Sequence, residues 1–339
     1  MAEERILLIQ LRQLGDILLT TPCLRAIKRE RPRAKLTLLT HSMGRLILDN
    51  NPFVDEHFFY EDDWKLAQHV RLAKTLKERA FDLVFDFMGN PRSAIMSFAA
   101  RGKERVAFSS PRRFAYTHLV PRPGPGRYIV DEKFDLLRAT GFRPEGQGLV
   151  LPWFEAHTQP VMRLYASGTV LRDSPLRVAI SPTHRREARR WPLAAYAALA
   201  DRLTRELGAA CIFLWGPGEE AEVERCRVLC QTPTWKAPKT SFRELAALVG
   251  NLDLFIGNSN GPSHVAVATD ICSLQLHGPT RGLSWCPDVP KHRFVQAPTK
   301  DMASLSVDAV WEALQAMLGT VRLFAAEHRA KGLKVSWRL

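Results

Sequence analysis

The 339-residue sequence lacks any apolar run that approaches the about 18 residues typical of a membrane-spanning helix. Its first residues, MAEERILLIQ, place two glutamates before a short apolar run, a pattern unlike a secretory signal peptide. The six cysteines are scattered without the paired spacing of a zinc site, which predicts reduced structural thiols. These absences predict a cytosolic protein.

Several common catalytic motifs are also absent. The sequence contains no G-x-G-x-x-G, no Walker lysine motif, no H-E-x-x-H and no G-x-S-x-G. Nicotinamide dehydrogenase, ATPase and serine hydrolase functions therefore lose their usual support. No helix-turn-helix, aromatic platform or zinc finger supports nucleic-acid binding, and we predict no nucleic-acid partner.

Acidic residues are in deficit. The chain has 48 Lys and Arg against 35 Asp and Glu, a formal net charge of +13. Such a charge predicts an anionic partner, for which the candidates are phosphate groups, nucleic acid and an acidic membrane surface. Because the basic residues form no long uninterrupted run, they favour a charged groove or face over a disordered arm.

Short apolar strands alternate with amphipathic helices along the whole chain. The predicted strands are 5–11, 35–40, 82–87 and 104–108, then 176–180, 210–215, 252–257 and 272–278. The predicted helices are 17–31, 42–50, 64–80, 91–100 and 129–141, then 192–207, 218–230, 261–269, 305–318 and a basic helix from about 320. Residues 120–128 are predicted as a loop and 151–175 as a linker. This pattern predicts an α/β protein of two doubly wound parallel-sheet domains with a crevice between them.

The predicted domains are 1–160, 161–318 and a basic C-terminal helix or tail at 319–339, whose packing the sequence leaves open. In open α/β sheets, ligands bind beyond the carboxyl ends of the strands, against helix N-termini. The first such loop, RQLGD, brings Asp16 to the start of a helix, with Gly15 allowing close approach of a ligand. Two interpretations of Asp16 remain open, a helix-capping acid and a general base for an acceptor hydroxyl.

A second loop, SPTHRREARRWP at 181–192, follows a predicted strand and is rich in arginine. Guanidinium groups beside a helix N-terminus favour diphosphate binding, and the alternative is a solvated basic loop. The candidate residues here are Thr183, His184, Arg186 and Arg189.

Two further turns carry candidate donor-binding residues. In WGPGEEAE, Glu219 or Glu220 has two possible roles: a negative charge that stabilises the helix dipole, or an acceptor of a hydrogen bond from a ribose hydroxyl. In GNSNGPSHVAVAT, amides near the helix start can point at a phosphate, whereas a lone helical histidine is equally consistent with packing. The candidates in this second turn are Ser259, Asn260, Gly261, Pro262 and His264.

The ordered motifs RILLIQLRQLGDILLTTPCLRAIKRERP, FDLVFDFMGNPRSA, HRREARRWP, GPGEEAE, GNSNGPSHVA and HGPTRG resemble the heptosyltransferases of glycosyltransferase family 9. The resemblance implies a GT-B fold of two Rossmann-like domains that face a central cleft. It further implies that a heptose is transferred from ADP-heptose to the inner core of lipopolysaccharide with inversion at the anomeric carbon, without a metal or a cofactor. The enzyme would work at the cytoplasmic face of the inner membrane. The first domain would bind the acceptor and the second the nucleotide sugar.

The resemblance also assigns roles. Asp16 matches the essential aspartate of the family, and Arg189 matches a basic residue that neutralises the departing diphosphate. The residues predicted for the acceptor site are Gly15, Thr20, Asn90 and Arg92.

One departure concerns Ser259, which stands where relatives usually carry aspartate. It leaves two alternatives open, transfer of another nucleotide sugar to a different glycan and a non-catalytic member of the family that binds sugar nucleotides.

Overall fold

A computed structural model describes residues 3–167 and 173–332. The chain divides into two compact units, Met1–Val150 and Leu151–Leu339. Each unit is built around one six-stranded sheet in which all neighbouring strands are parallel. None of the helices in the described ranges is long and apolar enough to cross a membrane.

The first unit contains β1 (Arg5–Gln10), β2 (Lys35–His41), β3 (Glu56–Tyr60), β4 (Leu83–Asp86), β5 (Glu104–Phe108) and β6 (His118–Val120). Its helices are α1 (Leu14–Leu18), α2 (Thr21–Glu30), α3 (Arg45–Leu48), α4 (Leu66–Glu78), α5 (Pro91–Ala100) and α6 (Ile129–Arg138). The strand order is β3-β2-β1-β4-β5-β6. β1 is central, and its run Ile6 to Ile9 is fully buried, because helices on both faces of a parallel sheet exclude water from every side chain.

The second unit contains β7 (Leu176–Ser181), β8 (Ala209–Phe213), β9 (Trp235–Lys236), β10 (Leu254–Asn258), β11 (Cys272–His277) and β12 (His292–Gln296). Its helices are α7 (Gln159–Ala166), α8 (Leu193–Leu207), α9 (Glu220–Val228), α10 (Phe242–Gly250), α11 (Gly261–Ala268), α12 (Gly282–Trp285) and α13 (Val307–Ala330). The order β12-β11-β10-β7-β8-β9 repeats the order of the first sheet. Both sheets have the strand order of the Rossmann fold, so the predicted doubly wound architecture is confirmed.

The predicted helix at 17–31 is wrong in one respect, because the structure divides it into α1 and α2. Pro22 lies in the first turn of α2. Proline has no N–H to donate, and its ring clashes with the carbonyl four residues earlier, so a continuous helix is excluded here. The break leaves α1 as a short helix that carries Asp16 in its first turn.

The ends of the second unit also differ from the sequence-based expectation. The predicted linker contains α7, which packs against α10, and the division between the units falls after Val150. The predicted break after residue 318 is absent, because α13 continues to Ala330 and places Val321 and Ala325 in the core of the second unit. Residues 333–339 of the predicted tail lie outside the described residues.

Candidate functional site

The predicted site residues cluster where the strand order of each sheet reverses. In the first sheet the reversal lies between β1 and β4, and in the second between β7 and β10. Asp16 and Asn90 follow β1 and β4, while Arg189 and Gly261 follow β7 and β10. Doubly wound sheets bind their ligands at this switch point, because the loops that leave adjacent strands diverge there and open a crevice.

Asp16 is a half-buried acid in the first turn of α1. The N-cap position belongs to Gln13, whose φ of 35° places it in the left-handed region, and no side chain caps the helix. Burial raises the pKa of the Asp16 carboxyl above its usual value, and the charges of Lys133 and Arg12 partly offset that shift. A carboxylate made more basic by its surroundings is suited to accept a proton.

Lys133, on α6, is a buried cation beside Asp16 that the sequence analysis missed. Its ammonium donates to the backbone carbonyl of Asp16 at 2.9 Å and to Thr20 Oγ1 at 2.6 Å. Burial lowers the pKa of Lys133 to about 8, although the negative charges of Asp16 and Glu132 favour the protonated form. A signal was available, because Lys133 lies at helical spacing from buried Val130 and Leu137, on the apolar face of α6.

The other predicted acceptor residues have different surroundings. Thr20 is fully buried, where its hydroxyl accepts from Lys133 and donates to the Asp16 carbonyl at 2.8 Å. Asn90 caps α5 by accepting from the Ser93 amide at 2.9 Å, and the exposed Arg92 forms an ion pair with Asp62. Gly15 lies beside Asp16 in the first turn of α1 and is half-buried.

The loop between β4 and α5 is held by Asp86, which the sequence analysis also missed. Its buried carboxylate accepts from the amides of Met88 (2.9 Å) and Gly89 (3.1 Å) and from the Tyr116 hydroxyl (2.7 Å). Burial raises the pKa of Asp86, against the effect of these donors. Gly89, at φ 62°, provides the left-handed conformation that this turn needs.

In the second unit, Asn258 at the end of β10 fixes the arginine-rich loop. Its buried side chain donates to the Pro182 carbonyl at 3.0 Å and accepts from the Trp191 amide at 3.1 Å. Asn258 therefore holds both ends of loop 181–192. The sequence carries no local signal for this role, because both ends of the loop lie far from residue 258 in the chain.

His184 has a defined tautomer. The Arg186 amide donates to His184 Nδ1 at 2.8 Å, so Nε2 carries the proton and donates to the Ser259 carbonyl at 3.1 Å. Burial and the charge of Arg189 lower the pKa of His184, which keeps the ring neutral. His184 thus joins the loop after β7 to the loop after β10.

Arg189 is a half-buried cation in this loop. Within residues 3–167 and 173–332, no carboxylate pairs with its guanidinium. Burial and the charge of Arg186 lower the pKa of Arg189. By contrast, the neighbouring Arg190 pairs with Glu222 at 3.3 Å. Positive charge that is partly desolvated and unneutralised favours binding of an anion.

The two candidate glutamates have different partners. Glu219 Oε2 accepts from the Thr183 hydroxyl at 2.7 Å and from the Gly216 amide at 2.9 Å. Glu220 instead pairs with Lys236 at 2.7 Å. Glu219 therefore joins the loop after β7 to the loop after β8, and Glu220 belongs to an exposed ion pair.

The start of α11 is open to a ligand. Asn260 caps the helix by accepting from the Ser263 amide at 3.2 Å, and its amide group donates to the Thr183 carbonyl at 3.0 Å. No atom lies within 4 Å of a Cβ placed on Gly261, and Pro262 follows in the first turn. The positive end of the helix dipole thus lies beside unfilled space, which suits a phosphate.

Two histidines lie close to this helix start. His264 is nearly buried, and its ring centroid lies 6.0 Å from that of Trp285. Burial, with the nearby His264 and Arg189, lowers the pKa of His277 to about 3. His277 was not a candidate in the sequence analysis, although its turn, HGPTRG, was noted there. The lowered pKa keeps the His277 imidazole neutral beside the cation Arg189.

No cluster of three or more His, Cys, Asp or Glu side chains able to hold a metal ion occurs in the ranges that the structure describes. The first unit holds a carboxylate beside a buried lysine, and the second unit holds a cationic loop beside a helix start.

Comparisons with known proteins agree with this fold. The chain has a TM-score of 0.81 and 21% identity to a family 9 glycosyltransferase from Veillonella parvula, covering 94% of this chain and 97% of that one. It has a TM-score of 0.70 and 18% identity to the E. coli heptosyltransferase WaaC solved with ADP, covering 94% and 99%. In sequence it is 27% identical over 288 residues to lipopolysaccharide heptosyltransferase 3 of Escherichia coli, covering 80% of this chain and 83% of that one.

The fold and these similarities define a glycosyltransferase of the GT-B class. The family model of glycosyltransferase family 9 (heptosyltransferase) matches residues 69–312. The chain belongs to this family, as the ordered motifs indicated.

Proposed function

We propose that this enzyme transfers a heptose from ADP-heptose to the inner core of lipopolysaccharide. The observation that carries the proposal is Asp16, a half-buried carboxylate of raised pKa at the switch point of a family 9 enzyme. The relatives support the substrates, because the similar E. coli proteins are lipopolysaccharide heptosyltransferase 3 and WaaC with ADP. The same assignment predicts a cytoplasmic enzyme that works at the inner membrane.

In the proposed reaction, Asp16 takes the proton of an acceptor hydroxyl. The oxygen forms a bond to the anomeric carbon of the donor from the opposite face, and the bond from that carbon to the diphosphate breaks. ADP leaves with the bonding electrons, so the configuration inverts and no metal or cofactor is needed. Negative charge grows on the diphosphate in the transition state, where Arg189 and the start of α11 stabilise it.

The first unit is proposed to bind the acceptor near Gly15, Asn90 and Arg92. The second is proposed to bind the donor through Arg186, Arg189 and the open helix start at Gly261. Thr20 is proposed to support the acceptor site by its hydrogen bonds to Asp16 and Lys133. The side chains of Thr183, His184 and Glu219 are proposed to support the donor site, because their hydrogen bonds join the loops around it.

A second candidate function is transfer of a different nucleotide sugar, and Ser259 is the observation that favours it. Ser259 lies at the end of β10 beside the helix start, with 9% of its surface exposed. A neutral side chain there changes the contacts offered to the donor sugar and lessens repulsion of the diphosphate.

Calorimetric titration with ADP-heptose, ADP, UDP and GDP tests the donor without an acceptor. Selective binding of ADP-heptose and ADP is expected. Preference for UDP or GDP would replace the heptose donor by another nucleotide sugar, and binding of none of the four ligands would contradict the proposed donor.

Lys133→Met is expected to move the acidic limb of the pH profile of kcat/KM to higher pH. The Lys133 charge lowers the pKa of Asp16, so its removal lets that pKa rise further and the base is ionised only at higher pH. The control is Arg138→Met, which removes an exposed charge from the same helix. An unmoved acidic limb would show that Lys133 does not tune Asp16.

The Tm of Lys133→Met shows whether Lys133 stabilises the fold or only tunes the pKa of Asp16. The folded pKa of about 8 for Lys133 lies below its unfolded value of about 10.4, so folding disfavours the charged form. That cost is fully present below pH 8 and disappears as the pH rises toward the unfolded value. At neutral pH, Lys133→Met is therefore expected to keep or raise the Tm, and a marked fall would indicate a structural role.

A further inference from the structure

The outer face of the first unit exposes a small apolar cluster. Ile95 and Phe98 lie one turn apart on α5 and are 55% and 52% exposed. Phe114, in the loop after β5, is 62% exposed, and its ring lies 5.8 Å from that of Phe98 in an edge-on contact. Large side chains at this exposure indicate a binding surface when they adjoin one another.

The chain around this cluster is strongly basic. Residues 87–130 contain eight Lys and Arg (92, 101, 103, 105, 112, 113, 122 and 127) but only one acidic residue, Glu104. Three of the eight, Arg92, Lys103 and Arg127, pair with carboxylates outside this range. Arg101 and Arg113 are exposed, and in the described part of the chain neither pairs with a carboxylate. Arg113 directly precedes Phe114, and Arg101 lies three residues after Phe98. The apolar cluster is thus bordered by unneutralised positive charge.

This combination fits a lipid surface better than a protein partner. A stable protein interface uses about 20 to 30 residues on each side, far more than three apolar side chains. Aromatic rings and arginines are the side chains that suit the headgroup region of a bilayer, where the ring enters the acyl boundary and the charge meets anionic lipid.

We propose that Ile95, Phe98, Phe114, Arg101 and Arg113 form a docking surface for an anionic bilayer. The three apolar side chains enter the interface, and the two arginines lie at the level of the lipid phosphates. The inference deepens the proposed function, on which it rests for the membrane-embedded acceptor, and it assigns the membrane contact to a defined face of the first unit.

Co-sedimentation of the full chain with vesicles tests the proposal. The wild type is expected to bind vesicles rich in phosphatidylglycerol and to bind pure phosphatidylcholine much more weakly. The double variant Phe98→Ser/Phe114→Ser should lower the partition coefficient about tenfold or more, because it removes the two aromatic rings that would enter the bilayer. Arg113→Gln should lower it about fivefold, since each basic side chain near an anionic surface is worth about 1 kcal/mol.

The matched control is Val228→Ser/Leu323→Ser, which removes two apolar side chains that are 76% and 70% exposed in the second unit. It should bind vesicles as the wild type does. Equal binding by both double variants, or no preference of the wild type for anionic lipid, would overturn the proposal.

The test is independent of the donor. Calorimetric titration with ADP-heptose should give the same affinity for Phe98→Ser/Phe114→Ser as for the wild type. Vesicle binding without ADP-heptose binding would reject the proposed function and retain the surface. If the protein binds ADP-heptose but Phe98→Ser/Phe114→Ser binds vesicles as the wild type does, the docking surface is rejected and the proposed function is retained.

Discussion

Asp16→Asn is expected to lower kcat by about 10²- to 10⁴-fold, the range for loss of a general base. Asparagine has nearly the same shape but cannot take the acceptor proton at neutral pH. The affinity for ADP-heptose should stay unchanged, because no donor-binding residue is altered. Initial rates with a lipopolysaccharide core acceptor, beside calorimetric titration of the donor, measure both quantities.

The Asp16→Asn variant is expected to fold as the wild type does. The carboxylate of Asp16 is half-buried and its pKa is raised by burial, so replacing it with a neutral amide removes a desolvation cost. The control is Asp63→Asn, which neutralises an exposed acid of the same unit. Turnover by Asp16→Asn within about threefold of the wild type, far short of the expected loss, would refute Asp16 as the base.

Arg189→Gln is expected to lower kcat by about 10²- to 10³-fold, as when one group that stabilises transition-state charge is removed. The guanidinium is half-buried and lacks a carboxylate partner among the described residues, so its full charge is available to the diphosphate. KM for the donor should change less than kcat, because the charge on the leaving group grows in the transition state.

Arg189→Lys keeps the charge and should recover part of the rate, since a lysine cannot reproduce a two-pronged contact to a phosphate. The comparison variant is Arg205→Gln, an exposed arginine of α8. A rise in KM at constant kcat for Arg189→Gln would assign the residue to ground-state binding of the donor.

The elements that the sequence predicted are those with a strong local signal. The buried run of β1 and the Pro-initiated start of α8 are examples. The helices α7, α10 and α12 were not predicted. Among them α10 carried a recognisable signal, since Ser241 and Glu244 form a capping box at its start. The two-residue strand β9 and the half-exposed β12 gave no usable pattern, since both depend on pairing with a neighbour.

The residues of the candidate site likewise fall into those with a local signal in the sequence and those without one. Asp16, Arg189 and Gly261 were predicted because each lies in a loop that follows a recognisable strand. Asn258 was missed because it acts on a loop distant in sequence, 67 residues away for its contact with Trp191. Lys133, whose contact with Asp16 spans 117 residues, was missed although its place on the apolar face of α6 offered a signal.

The sequence by itself determined the alternation of strands and helices, the basic charge and the family motifs, all of which are local or compositional properties. Tertiary structure decided the strand order that brings four loops to two switch points. It also decided the pKa of Asp16, because the desolvation that raises this pKa and the charge of buried Lys133 that partly offsets the rise exist only when α6 packs beside α2.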